Sequence, residues 1–130
     1  MAILTDDDLA LLRETQLAHV AVIDADGTPH VTPVWVDTDG EHILFNTAKG
    51  RAKFNSLVRD PAVAVSVVDK ANDMRTLWVK GTAELVEDGA DTHIDRMAQK
   101  YLGQDTYPYR RPGEERVIVR ITPTVKLRQG

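Results

Sequence analysis

Three cations lie within five positions of one another near the predicted start of a short helix. They are Lys49, Arg51 and Lys53, in the segment 45–55 that joins a predicted strand to that helix. A helix N-terminus already carries about half a positive charge, so cations in its first turn are unfavourable unless an anion lies among them. The spacing therefore predicts an anion site at this junction.

A phosphate group fits the rest of the same segment. The first-turn amides of a helix are unpaired and bind phosphate readily. The hydroxyl of Thr47 or Ser56 would add a donor, and Gly50 would let the backbone approach the ligand. The alternative is a basic face on a surface helix that contacts only solvent.

Trp78 is the only large apolar residue on the polar face of a long predicted strand. Residues 76–86, taken with a period of two, place Leu77 and Val79 on one face and Trp78 on the other, among Thr76 and Lys80. A tryptophan in this position is expected to cover a dimer interface or to form the wall of a site for a planar ligand. The alternative is packing under the loop 104–113.

The sequence also excludes several classes of protein. It has no cysteine, which excludes disulfides, zinc–thiolate sites and a cysteine nucleophile. Its four histidines lack metal-ligand spacing, and it has no Walker-type loop, dinucleotide fingerprint or nucleophile elbow. The formal net charge of −4 predicts no attraction to nucleic acid or to anionic membranes. Because the N-terminus has no basic leader and no apolar stretch is long enough to span a membrane, we expect a cytoplasmic protein.

The elements that must position these residues are mainly strands. Thr5 and Asp8 form a capping-box pattern that predicts a helix over Asp6–Arg13. Apolar spacing predicts two further helices, one ending before Pro61 and one closed by Gly103. Strands are predicted at 19–24, 30–36, 42–47, 62–68, 76–86 and 116–122, with a hairpin turn at 37–40, both faces of 62–68 buried, and a short extended tail at 125–127.

Six or seven strands joined mostly by short turns predict a mainly β fold, either a β-barrel or a strongly curved antiparallel sheet. The 130 residues suit a single domain, 1–130. A barrel of this size fills its interior with its own side chains. A sizeable ligand must therefore bind on the outside or between two copies.

Four motifs in this order resemble those of the pyridoxamine 5'-phosphate oxidase-like flavin-binding split-barrel superfamily, over about residues 9–127. They are Gly27-x-Pro29-His-Val-x-Pro-Val-Trp35, Phe45-Asn-Thr47, Gly50-Arg-x-Lys53-x-x-x-Leu-x-Arg-Asp-Pro61 and Trp78-Val-x-Gly81-x-Ala83. The short length and the closing Arg116-Val-Ile-Val-Arg-Ile-Thr-Pro123 are most similar to the actinobacterial group that uses the deazaflavin coenzyme F420.

The resemblance implies a homodimer of six-stranded, FMN-binding-like split barrels with two cofactor sites at the subunit interface. Arg51 and Lys53 would bind the cofactor phosphate, and Trp78 would approach from the partner subunit. The backbone of residues 33–35 and 46–49 would line the ring and the ribityl chain. The implied cofactor-binding residues are His30, Thr32, Pro33, Val34, Trp35, Asn46, Thr47, Ala48, Lys49, Gly50, Arg51, Lys53 and Trp78.

The function implied by the resemblance is hydride transfer from reduced F420 to an electron-poor C=C or C=N bond of a small molecule such as an enone, quinone or tetrapyrrole. The alternatives are an FMN-dependent oxidoreductase and a non-catalytic protein that binds a flavin, a deazaflavin or a tetrapyrrole. The vitamin-forming oxidases have further C-terminal elements, whereas this chain ends at 124–130, so pyridoxamine phosphate is not the expected substrate. Neither His30 nor Tyr107 is placed well enough by the sequence to be assigned as the proton donor.

The acidic tail of F420 gives a further expectation. A protein that selects F420 over FMN should offer cations beyond the phosphate, because the deazaflavin continues into an oligoglutamate chain. Lys49, Arg110 and Arg111 are the candidates by charge and by position in the sequence.

Overall fold

The computed structural model describes residues 3–127; residues 1–2 and 128–130, the two ends of the predicted domain 1–130, lie outside the described residues. The described chain forms one curled sheet and three helices. In chain order the elements are α1 (Asp6–Arg13), β1 (Leu17–Ile23), β2 (Pro29–Trp35), β3 (Asp37–Thr38), β4 (Ile43–Ala48), α2 (Ala52–Arg59), β5 (Ala62–Asp69), β6 (Asn72–Val86), α3 (Ala90–Leu102) and β7 (Arg116–Lys126).

The sheet is antiparallel throughout, with the strand order β2-β1-β5-β6-β7-β4-β3. It curls until β2, at one end, lies beside β4 near the other end, with no ladder between them. This gap between β2 and β4 is the split of the barrel. The prediction of a mainly β, curved antiparallel fold is confirmed.

The structure has seven strands within residues 3–127, which agrees with the six or seven predicted from the residues and differs from the six implied by the resemblance. Residues 37–40 were predicted as a turn, but Asp37 and Thr38 pair with Leu44 and Ile43 to form β3. The turn lies one step later, where Thr38 Oγ1 donates to the carbonyl oxygen of His42 at 2.7 Å. Aspartate and glycine at 37–40 are typical of turns, and only the pairing with β4 makes the first two residues a strand.

The final strand is longer than predicted because the tail at 125–127 contributes to it. The pairing of β6 with β7 shifts register between Lys80, opposite Val125, and Gly81, opposite Pro123. A proline nitrogen cannot donate to a ladder, and a bulge is one of the places where a sheet accepts it. After this bulge β7 continues to Lys126.

The interior of the curl is filled by apolar side chains from nearly every strand, together with Leu11 and Leu12 of α1. The capping box that begins α1 is present, since Asp8 N donates to Thr5 Oγ1 at 3.1 Å and Thr5 N donates to Asp8 Oδ2 at 3.0 Å. Leu77 and Val79 of β6 are buried as the period of two predicts. The interior of the curl is therefore the hydrophobic core of the described chain.

The prediction that residues 62–68 are buried on both faces is wrong for the single chain. Val63, Val65 and Val67 are buried, whereas Val68 is exposed and the side chains between them are only half-buried. A one-layer sheet covers only its inner face, and the outer face of β5, with Ala64 and Ser66, borders an open apolar groove. No helix within residues 3–127 is long and apolar enough to cross a membrane.

Candidate functional site

A cavity of about 310 Å³ opens at the split between β2 and β4. Its floor comes from these two strands, and its sides come from the start of α2, from α3 and from the loop 103–115. The lining residues are Leu17, Pro33, Val34, Trp35, Asn46, Thr47, Arg51, Lys53, Ile94, Met97, Tyr107, Tyr109 and Arg116. The cavity therefore combines one cationic end with an apolar and aromatic remainder.

The cationic end is built on the first turn of α2. Arg51 is the N-cap of that helix and makes no side-chain capping hydrogen bond, so the first-turn amides are not capped by it. Lys53 Nζ donates to Thr32 Oγ1 of β2 at 3.0 Å, which holds the ammonium group across the split. Burial, and to a smaller extent the charge of Arg51, lowers the pKa of Lys53. A half-buried ammonium with no carboxylate partner among the described residues is a good binding group for an anion.

Arg116 forms the second basic wall of the cavity and is itself buried. Its Nε donates to Asn46 Oδ1 at 2.8 Å, and its Nη1 donates to Glu114 Oε1 at 2.9 Å. The other oxygen of Glu114 accepts from Arg51 Nη2 at 3.1 Å. One carboxylate therefore bridges the two guanidinium groups.

Asn46 also forms hydrogen bonds to two groups of α3. Asn46 Nδ2 donates to the Ala90 carbonyl oxygen at 3.0 Å and to His93 Nδ1 at 3.0 Å. Since His93 Nδ1 accepts, the ring proton must be on Nε2, which lies 3.6 Å from Asp37 Oδ2, too far for a hydrogen bond. The network fixes the orientation of the Asn46 amide and hence the position of Arg116.

Aromatic side chains form another part of the cavity wall, next to Arg116. Trp35 stacks on Tyr101, with ring centroids 5.1 Å apart and planes inclined by 3°, and meets the edge of Tyr107 at 6.0 Å. Tyr107 packs edge-on against Tyr109 at 5.6 Å and lies under the guanidinium group of Arg116 at 5.2 Å. Such a wall suits a flat, aromatic ligand.

Tyr101 is locked in place by its hydroxyl group. That group donates to the Gln16 carbonyl oxygen at 2.5 Å and accepts from Val36 N at 3.0 Å. Burial raises the pKa of Tyr101 to about 12, so the hydroxyl stays protonated at ordinary pH. The stacked Trp35 ring is thereby held on a fixed support.

The structure brings together most of the residues implied as cofactor-binding. Seven line the cavity, and Thr32 touches it through Lys53. Three more, Ala48, Lys49 and Gly50, lie in a neighbouring depression that shares Arg51 with the cavity. The seven that line the cavity are Pro33, Val34, Trp35, Asn46, Thr47, Arg51 and Lys53.

Three of the sequence candidates lie elsewhere. His30 Nδ1 is 2.6 Å from Asp24 Oδ1, and Ser56 donates to the same oxygen at 3.0 Å, so both side chains are engaged away from the cavity. Trp78 lies on the outer face of the sheet, opposite Ser66 of β5, in an apolar groove with Val31. This outer groove shares no lining residue with the cavity.

Sequence reasoning missed Glu114, Arg116 and Tyr109 as site residues, and it weighed Tyr107 only as a proton donor. Tyr107 and Tyr109 carry a weak sequence signal, since they are two of only three tyrosines and are followed or preceded by prolines. Arg116 appears in the sequence as the first residue of a strand, and its burial follows only from the pairing of β7 with β4. No local pattern distinguishes Glu114 from its exposed neighbour Glu115.

The curled antiparallel sheet of this chain is a fold of the pyridoxamine 5'-phosphate oxidase-like type. The sequence matches the pyridoxamine 5'-phosphate oxidase family over residues 4–126, and the chain belongs to this family. It is a family of flavin and deazaflavin oxidoreductases.

Solved structures resemble the chain over nearly its whole length. A protein named F420 reductase is 32% identical with a TM-score of 0.80, covering 92% of this chain and 95% of that one. Rv2991, a conserved Mycobacterium tuberculosis protein, is 24% identical with a TM-score of 0.71, covering 97% of this chain and 82% of that one. HupZ from Group A Streptococcus is 22% identical with a TM-score of 0.68, covering 94% and 90%, respectively. A search of curated proteins gives no match.

Proposed function

We propose that this chain is an F420-dependent reductase that acts as a homodimer. The similarity to the F420 reductase structure, at 32% identity and a TM-score of 0.80, carries the proposal. The cavity supports it, because a cationic end beside an aromatic wall matches a flat ring joined to a phosphate.

Different residues of the cavity would contact the phosphate and the ring of such a cofactor. Lys53 and Arg51 bind its phosphate, while Trp35, Tyr107 and the backbone of Pro33–Trp35 hold the ring. The bound deazaflavin would supply the hydride, and the acceptor is an electron-poor C=C or C=N bond of a small molecule. The residues of β2 that line the cavity, Pro33, Val34 and Trp35, would orient the ring for the transfer.

The ion pairs of the described residues show which of the three candidate cations could bind the oligoglutamate tail of F420. Lys49 pairs with Glu87 and lies 3.8 Å from Glu115, and Arg110 binds Asp91 and Asp95 at 2.9 and 2.8 Å. Arg111 lines the depression beyond Arg51 and has no ion pair within the described residues. We therefore assign the first contact with the oligoglutamate tail to Arg111.

F420 is expected to bind at least several-fold more tightly than FMN at low salt, because the tail adds exposed ion pairs worth at most about 1 kcal/mol each. Rising ionic strength should narrow the difference. Parallel fluorescence titrations of the protein with both cofactors, at low and high salt, measure it. Equal or tighter FMN binding at low salt would favour the FMN-dependent alternative.

A turnover assay then separates a reductase from a binding protein. The protein loaded with reduced F420 is mixed with a panel of enones, quinones and tetrapyrroles, and the return of the oxidised cofactor spectrum is followed. Oxidation that depends on both protein and acceptor is the expected result. Tight F420 binding with no turnover on any acceptor would leave the non-catalytic alternative.

The dimer belongs to the same proposal, and the outer face of β1, β2, β5 and β6 is its interface. Val31 and Trp78 lie on this face, in the outer groove that borders β2. Pro33, two residues from Val31, lines the cavity, so a second copy on the groove would also reach the cavity rim. At about 310 Å³ the cavity is at the lower end of ligand-site sizes, which suits a site completed by a partner.

Light scattering at micromolar concentration is expected to give the mass of a dimer, and Val31→Glu should shift it towards the monomer. The Val31 side chain is 60% exposed in one chain, so a charge there disturbs the interface rather than the fold. Val58→Glu, at a residue that is 61% exposed on α2, is the matched control and should remain dimeric. A wild-type monomer would contradict the dimer.

A further inference from the structure

We propose that Glu114 makes the anion site selective for a phosphodiester over a phosphomonoester. The inference rests on the proposed function, in which this site holds a cofactor phosphate. In this proposal a carboxylate, not a cation, discriminates between F420 and FMN, two ligands with similar ring systems.

The Glu114 carboxylate borders the cationic end of the cavity, because it lines the neighbouring depression that shares Arg51 with the cavity. It contacts Arg51 at 3.1 Å and Arg116 at 2.9 Å, and both of these arginines line the cavity. Its side chain is only 8% exposed, whereas that of Glu115 is 70% exposed. An anion bound between Lys53 and Arg51 therefore has a buried negative charge as a near neighbour.

The loop that carries Glu114 is tied down, which keeps this charge at the site. Tyr107 N donates to Asp95 Oδ1 of α3 at 2.8 Å, and Arg110 bonds to Asp91 and Asp95 of the same helix. Glu114 itself bridges two guanidinium groups. Moving it away would leave the buried Arg116 without its carboxylate partner, which is costly for a buried charge.

The two candidate cofactors differ in charge at the atom group that this site would bind. The phosphate of F420 is esterified on both sides and carries one negative charge, while that of FMN is a monoester carrying about −1.5 to −2 at pH 7. Lys53 and Arg51 attract the phosphate of either cofactor. Only the monoester places a second charge against Glu114, and like charges at close range repel.

The size of the effect follows from Coulomb's law in a partly solvated site. Arg51 is 46% exposed, so the site is screened and the effective dielectric constant lies well above that of a dry interior. One extra charge about 6 Å from the carboxylate then changes affinity by roughly three- to ten-fold. This factor is comparable with that expected from the tail of F420.

Glu114→Gln tests the proposal with two ligands that differ by one methyl group on the phosphate and therefore in its charge, FMN and its phosphate methyl ester. The dissociation constants of both are measured by fluorescence titration at low salt. Relative to wild type, the variant should improve FMN binding over methyl-ester binding by roughly three- to ten-fold. Glutamine keeps the size of the side chain and an acceptor for one of the two arginines, and thermal unfolding checks that the fold persists.

Two further variants complete the design. Glu114→Asp keeps the charge and should keep the wild-type ratio of the two constants, while Glu115→Gln removes an exposed charge from the same loop and should leave that ratio within about two-fold. If the ratio of the two dissociation constants is the same in Glu114→Gln as in wild type, the proposal is overturned. This includes the case in which the variant binds both ligands more tightly by the same factor.

The proposed function fails on a different observation. If wild type binds FMN and its methyl ester but not F420, the F420 assignment is wrong. The effect of Glu114→Gln on the ratio of the two dissociation constants still tests the selectivity assignment. If wild type binds F420 and the ratio does not change in Glu114→Gln, the selectivity assignment alone is wrong.

Discussion

Replacing Lys53 by alanine is expected to weaken cofactor binding by roughly ten- to 150-fold without unfolding the protein. A charge-assisted contact is worth roughly 1.5–3 kcal/mol, and each 1.4 kcal/mol is ten-fold in affinity. Lys53 lies at the top of this range because its ammonium group is half-buried and has no competing carboxylate among the described residues. Titration of the variant with F420 and with FMN measures the loss.

Arg51→Ala should also weaken binding, but by less. Arg51 is more exposed than Lys53 and already shares its charge with Glu114. Lys70→Ala is the matched control, since Lys70 lies on the turn between β5 and β6 and contacts Thr15. Unchanged affinity in both Lys53→Ala and Arg51→Ala would rule out the phosphate assignment for this end of the cavity.

Gly81→Ala is expected to destabilise the fold by at least about 3 kcal/mol. A Cβ at this position would lie 2.4 Å from the backbone oxygen of Thr122 and 3.0 Å from Cγ2 of Ile121. The clash is with the backbone of the neighbouring strand, so β6 and β7 must move apart next to the bulge. A fall in Tm of about 10 °C or more in a thermal melt is the corresponding observation.

Gly40→Ala serves as the comparison, because there a Cβ meets no atom within 4 Å. Its cost comes only from the positive φ of 99° and should be about 1–2 kcal/mol. If Gly81→Ala costs no more than Gly40→Ala, the close approach of β7 at this point is not a constraint on the fold.

The elements with local signals could be predicted from the sequence. The capping box of α1, the proline after α2 and the glycine after α3 each act through contacts a few residues apart, so the sequence alone reveals them. β3 could not be predicted, because its two residues have turn chemistry and become a strand only by pairing with β4. The extension of β7 depends in the same way on the bulge opposite Lys80 and Gly81.

In the candidate site, too, the residues with local sequence signals could be predicted and those placed by long-range contacts could not. Lys49, Arg51 and Lys53 are close in sequence, and their excess positive charge at a helix start is visible without a structure. Glu114 and Arg116 reach Arg51 from more than sixty positions away, through the path of β7 beside β4. The sequence therefore predicts the anion site but not the carboxylate beside it.

The open split also bears on the solubility of the protein. Strand β2 is at the end of the sheet, and an unpaired strand edge can recruit a strand from another molecule and start aggregation. Pro29 and Pro33 remove two amide donors from this strand, which makes it a poor template for a further strand. The prolines thus allow the edge to stay uncovered, free to receive a small molecule without becoming a site for self-association through β-pairing.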